Sequence, residues 1–168
     1  MARSFDISAD YPGTVEHVHQ AFADERYWLA RLAESGADEA TLDSIDIYDD
    51  GGIAVVTTQV LRADRLPGLV GQFHRGDLCI VRRENWSAVA EKRAEATVSG
   101  EIEGAPVRVD GNASLAPRDS GSRLTLTTQV EVRIPLVGGK IENFIGGSLT
   151  DLLAAEQAFT IRWLANNR

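Results

Sequence analysis

The sequence predicts an α+β protein: a curved antiparallel sheet of six to seven strands wrapped around one long C-terminal helix, with two short helices after the first strand. Three features carry this expectation. Residues 136–168 repeat apolar side chains at steps of three and four, whereas residues 41–134 alternate with a period of two between turns rich in Gly, Pro and Asp. Ahead of both stands one alternating stretch followed by two short capped helical patterns. Strands in series with hairpin-sized connections form an antiparallel meander. A sheet of that length twists and curls, and the terminal helix fills the curl.

Phe5, Ile7, Ala9 and Tyr11 alternate with Ser4, Asp6, Ser8 and Asp10, the period of a half-buried strand. Pro12-Gly13 stops it, and Thr14 stands at a helix N-cap, with His17 where a capping box would place Glu. Val15, Val18, Ala21 and Phe22 follow at helical spacing. Asp24 caps a second helix through Glu34, with Tyr27, Trp28, Leu29 and Leu32 on its apolar side. Thr41–Tyr48 then reads as a strand, Asp49-Asp50-Gly51-Gly52 as a turn, and Ile53–Leu61 as a strand rich in β-branched residues. Residues 62–77 contain Pro67, Gly68, Gly71 and Gly76, break both periods, and read as a loop with one helical turn.

Leu78–Asn85 and Ser87–Val98 read as paired strands, and Glu103-Gly104-Ala105-Pro106 as a turn. Val107–Leu115 and Arg123–Ile134 form a hairpin around residues 117–121. The last strand has one dry and one wet face, as a sheet covered on one side requires. On the terminal helix Ile141, Phe144, Ile145, Ser148, Leu149, Leu152, Leu153, Phe159, Trp163 and Leu164 fall on one broad face. Glu142, Asp151, Glu156, Gln157 and Arg162 fall mostly outside it. About 28 residues at 1.5 Å each make a rod roughly 42 Å long.

The 168 residues fit one domain, 1–168, large enough for a substantial core. A net charge of -8 argues against attraction to nucleic acid or anionic lipid. No secretory h-region and no run of apolar residues long enough to span a bilayer are present, so no integral membrane association is expected. One cysteine, Cys79, permits no internal disulfide and fits the reducing cytoplasm. The composition fixes no oligomeric state.

The stretches "PGTVEHVHQAFADERYWLARL" and "RIPLVGGKIENFIGGSLTDLLAAEQAFTIRWL", set in this element order, resemble the helix-grip fold of the START-like and birch-pollen-allergen (SRPBCC) superfamily. The resemblance covers essentially the whole chain. The second stretch is similar to a branch described only as a domain of unknown function. What the resemblance implies is an apolar cavity between sheet and long helix. Its functional range is wide and includes lipid carriers, hormone receptors, aromatases, cyclases and co-chaperones.

Residues consistent with such a cavity are small ones at expected inward positions. Ala88, Ala90, Lys92, Ala94, Ala96 and Val98 form one alternation set, joined by Val109, Gly111 and Ala113 on the next strand. Close packing by bulky helix residues is the bland alternative, and Lys92 would be costly inside without a partner. The expected lining is Trp28 from the helical pair, Phe73 and His74 from the loop, and Arg82, Ala94, Gly111, Ala113 and Thr128 from the sheet. Phe144, Ile145, Ser148, Leu149 and Leu152 complete it from the terminal helix. Gly146-Gly147 allows two readings, a hinge over a pocket mouth or close packing against a strand. Gly138-Gly139 reads as a loose entry turn. The loop of residues 65–76, with Leu66, Leu69, Val70 and Phe73, is either a lid or part of the core rim.

The catalytic search finds little. His17 and His19 point in different directions on a helix, and no Cys/His or HExxH cluster, P-loop or nucleophile elbow is present. Asp6, Asp43, Asp46 and Glu101 read as solvated strand faces, Cys79 as a small core residue, and Arg82-Arg83 or Arg62 and Arg65 as anion-binding candidates. No metal and no cofactor are expected. Three readings follow: a soluble binding protein for an apolar small molecule, lipid-like or aromatic; a polyketide cyclase or aromatase using His74, Tyr27 or Arg82; or an interaction module with a filled core.

Overall fold

The structure, a computed structural model, describes residues 2–66, 68–72 and 74–167. Its seven strands are β1 (Arg3–Tyr11), β2 (Glu39–Ile47), β3 (Ile53–Leu61), β4 (Leu78–Trp86), β5 (Ala94–Ile102), β6 (Val107–Arg118) and β7 (Gly121–Val132). They form one antiparallel sheet in the order β1-β7-β6-β5-β4-β3-β2. Helices α1 (Val15–Phe22) and α2 (Glu25–Ala33) follow β1, and α3 (Gly138–Asn166) closes the chain. This is the α+β architecture that the two periodicities predict. Both short helices start at their expected caps. Thr14 Oγ1 accepts from the His17 N–H at 3.2 Å, and Asp24 Oδ1 from the Arg26 N–H at 2.9 Å.

Ser87–Val98 is not one strand. The chain turns at Glu91 and Lys92, both in the left-handed region (φ 52° and 63°), between Ala90 and Arg93, which bridge. Two successive positive φ values close a tight hairpin, but Glu-Lys carries none of the Asn-Gly chemistry that announces one. Lys92 is therefore exposed at a turn, and β5 supplies only Ala94, Ala96, Val98 and the residues beyond to the concave face. Residues 62–77 hold two 3-10 turns, Ala63–Arg65 and Gly68–Gln72, instead of one, and Val70 is buried. Gly138-Gly139 begins α3 and does not precede it.

Two buried clusters seat α3. Phe22, Tyr27, Trp28, Trp86 and Leu115 receive Phe159 and Leu164 from its C-terminal half. Neighbouring rings there stand 5.2 Å apart for Phe22 and Trp86, and 5.7 Å and edge-on for Tyr27 and Trp163. Val107, Val130 and Val132 receive Ile141 from the N-terminal half, with Phe5, Ile145 and Leu149 packed around them. The helix lies closest to β1 and β7. Gly146 permits that approach, because a Cβ there would collide with the Phe5 ring, whereas Gly147 faces open space. Close packing, not a hinge, is what Gly146 provides.

The buried arc of α3 is rotated from the arc the apolar spacing marks. Phe144 and Ser148 face outward, while Glu142, Gly146 and Thr160 are buried. Glu142 is only 1% exposed. Its carboxylate accepts the Val132 N–H at 3.0 Å, where β7 ends, and lies 3.6 Å from Arg3. Polar residues enter this interface because donors and counter-charges already stand there.

Candidate functional site

Because α3 leans toward β1 and β7, it stands away from β3 and β4, and long charged side chains span the gap. Arg82 and Glu84 share the inward face of β4 with Ile80 and Trp86; Arg31 comes from the last turn of α2, and Glu156 from α3. Glu156 Oε2 is 2.7 Å from Arg82 Nη1 and 2.9 Å from Arg31 Nη2. Glu84 Oε2 lies 3.4 Å from Arg82 and 3.7 Å from Arg31. The four side chains are 11–17% exposed, so the tetrad is nearly enclosed. Arg31 also stacks its guanidinium 4.6 Å from the centre of the Trp28 ring.

A hydroxyl relay extends the tetrad into the aromatic cluster. Arg31 Nη1 donates to Tyr27 Oη at 3.3 Å, and Tyr27 Oη lies 2.7 Å from Thr160 Oγ1. Thr160 donates to the Glu156 carbonyl at 2.8 Å, so the Tyr27 hydroxyl donates to Thr160. Burial raises the Tyr27 pKa, which keeps the phenol neutral. Burial works against the charge on Glu156, but Arg31 and Arg82 outweigh it and hold the carboxyl below its usual range. Burial likewise opposes the charge on Arg31 and Arg82, and Glu156 more than offsets it.

The tetrad is a wall between two spaces. On one side is a cleft of about 280 Å³ between α2, α3 and the β3–β4 edge, lined by Trp28, Leu32, Thr57, Gln59, Leu152 and Phe159 as well as Arg31, Arg82 and Glu156. Glu34 and Arg162, paired at 3.4 Å, stand at the rim. On the other side is a smaller space of about 40 Å³ reached by Trp86, Ala113, Leu126 and Leu153, the size of a bound water and not of a ligand.

The expected lining residues divide accordingly. Trp28, Arg82 and Leu152 line the cleft, and Ala113 borders the small void with Arg82. Ala94 is packed in the aromatic cluster. Gly111 marks tight packing, since a Cβ would meet Thr127 O at 3.0 Å and the Thr128 methyl at 3.1 Å. Thr128 is buried and donates to Phe5 O at 3.3 Å. Ile145 and Leu149 pack in the second cluster, while Phe144 and Ser148 do not line the space expected of them but stand on the outer side of α3, because the helix turns its Glu142 and Gly146 face to the sheet. His74 bonds Asp77 O through Nε2 at 2.8 Å, beside the β5–β6 turn, and does not line the cleft. Phe73 lies outside the described residues.

The anion-binding reading of Arg82-Arg83 changes too. The pair points to opposite faces, Arg82 to the two glutamates and Arg83 to Glu101 at 3.0 Å on the outer side. Cys79 is half-buried and on the opposite set from Leu78, not in the core. Arg31, Glu84, Glu156, Thr57 and Gln59 escaped the sequence reading. The available signal was an alternation that places Arg82 and Glu84 in register with Ile80 and Trp86. Among the described residues no group of three His, Cys, Asp or Glu side chains is arranged to hold a metal ion. No helix among them is long and apolar enough to cross a membrane.

Residues 6–164 match the family described as "Protein of unknown function (DUF2505)". An uncharacterized protein of Mycobacterium tuberculosis is 52% identical over 173 residues, covering 99% of each chain. Among solved structures, an aromatase/cyclase from a Streptomyces species superposes with a TM-score of 0.61 at 10% identity, over 98% of this chain and 94% of that one. A START superfamily protein from Mycobacterium smegmatis does so with a TM-score of 0.54 at 14% identity, over 95% and 97%. At these identities the likeness is one of fold, and the fold is the helix grip of the START-like superfamily.

Proposed function

The chain belongs to the DUF2505 family, and from its helix-grip fold and the cleft beside α3 we propose that it is a soluble binding protein for an apolar small molecule. The whole chain, residues 1–168, acts as one such unit in the cytoplasm, where Cys79 stays reduced. The observation that carries the reading is the cleft of about 280 Å³, walled by Trp28, Leu32, Leu152 and Phe159 and backed by charged side chains already paired with one another. Apolar burial of the ligand, at about 25 cal/mol per Å², drives binding, and polar groups at one end fix its orientation. The cyclase reading draws less support. His74 is away from the cleft, and Tyr27 and Arg82 are held in their protonated forms.

Solvent extraction of the purified protein followed by mass spectrometry is expected to release an apolar compound. The neutral dye prodan is expected to bind with a blue shift in emission, to lose that binding in Leu152→Trp, and to keep it in Ser148→Phe on the outer side of α3. Equal dye binding by Leu152→Trp and the unmodified protein would remove the cleft from consideration.

A further inference from the structure

Two features of the cleft lead past its apolar walls. Thr57 is 6% exposed and lines it, yet its hydroxyl has no hydrogen-bond partner among the described residues. Every fully enclosed side-chain polar atom there does have a partner, so the Thr57 hydroxyl opens on the cleft. Gln59, two residues along β3 on the same face, presents an equally unpartnered amide. The second feature is charge. Three arginines (Arg31, Arg82, Arg162) face three glutamates (Glu34, Glu84, Glu156) in and behind the lining, and their formal charges sum to zero. A charged ligand would have to lie beside a closed set of ion pairs, losing water without gaining a free counter-ion.

We infer that the cleft selects a compact, uncharged ring compound carrying one hydrogen-bonding oxygen, which the Thr57 hydroxyl and the Gln59 amide engage while the tetrad turns anions away. This rests on the binding-protein reading and narrows its ligand class. A volume of about 280 Å³ is below the range of pockets that enclose larger ligands, which suits a ring system and not a long acyl chain. The polar contact lies on β3, where Thr57 stands opposite Arg82 in register, so the oxygen of the ligand and the charged wall meet at one end of the cleft.

Calorimetric titration at pH 7 with naphthalene, 2-naphthol and 2-naphthoate separates the two proposals, since the three share one ring system. Naphthalene and 2-naphthol are expected to bind, with 2-naphthoate weaker than 2-naphthol by about tenfold or more. In Thr57→Val the preference for 2-naphthol over naphthalene is expected to shrink about fivefold. In Glu156→Gln, which leaves the wall one positive charge in excess, 2-naphthoate is expected to gain on 2-naphthol. Binding of naphthalene and 2-naphthoate as tight as that of 2-naphthol, or a Thr57→Val variant with an unchanged preference, overturns the neutral-oxygen inference and leaves the carrier reading standing. Failure of all three probes removes both. Should Glu156→Gln not fold, Thr57→Val, which keeps shape and volume, decides the matter alone.

Discussion

Glu156 shows how a single side chain joins stability to the site. Burial opposes its ionisation, and two guanidiniums at 2.7 and 2.9 Å more than reverse that effect. Its folded pKa lies below the usual carboxyl value of 4.5, so the stability it contributes is complete above about that pH and is lost as pH falls through the folded value. Arg31 and Arg82, pushed further above their already high range, remain cationic throughout. The urea midpoint is therefore expected to fall more steeply with acidification below pH 4.5 than it does in Glu156→Gln, and to be insensitive to Glu156 ionisation between pH 5 and 8. Parallel curves for the two proteins would show that the carboxylate is not held as described. Nothing in the helical spacing marks Glu156 for the interior, because its reason for being there is contributed by α2 and β4.

At the level of elements, α3 is legible in the sequence as a helix, but the face it buries is not. Its length and limits follow from the apolar repeat and from Pro135, and the structure extends it over Gly138–Asn166. The repeat counts hydrophobic residues, however, whereas the buried arc is chosen by what faces it: Phe5 requires a glycine, the Val132 N–H requires an acceptor, and two arginines require a carboxylate. The adjacent glycines turn this into a test. Gly146→Ala places a methyl against the Phe5 ring and is expected to cost about 1–3 kcal/mol, partly recovered by Phe5→Ala. Gly147→Ala meets nothing and is expected to stabilise by about 0.5–1 kcal/mol through helix propensity alone. Thermal denaturation of the two variants is expected to move in opposite directions. The β4–β5 connection was missed for a related reason: the left-handed pair Glu91-Lys92 is imposed by the hairpin and is foreign to the preferences of its residues.

Across the whole molecule the meander of β2 to β7, the two capped helices and the gripping sheet could be read from period and punctuation, because those signals are local, whereas the pairing of β1 with β7 joins distant parts of the chain and has no local mark. The site could not, since it depends on which side of the sheet the helix leans toward. That lean separates α3 from β3 and β4, opens the cleft there, and leaves the alanines of β5 with close neighbours. It also divides the core unequally. The C-terminal half of α3 is embedded in the larger aromatic cluster and the N-terminal half in a much smaller aliphatic one. Amides of residues 142–150 are accordingly expected to exchange with deuterated solvent faster than those of 156–164, each region opening at a cost set by its own contacts. Uniform protection along the helix would contradict that division.

The carboxylate of Glu142, fastened to the last amide of β7, has a mechanical consequence. It indexes the rod axially: sliding α3 by one turn, about 5.4 Å, would unfasten that amide and strand a charge in an oily seam. The helix is thereby held in lengthwise register on the sheet by one buried carboxylate.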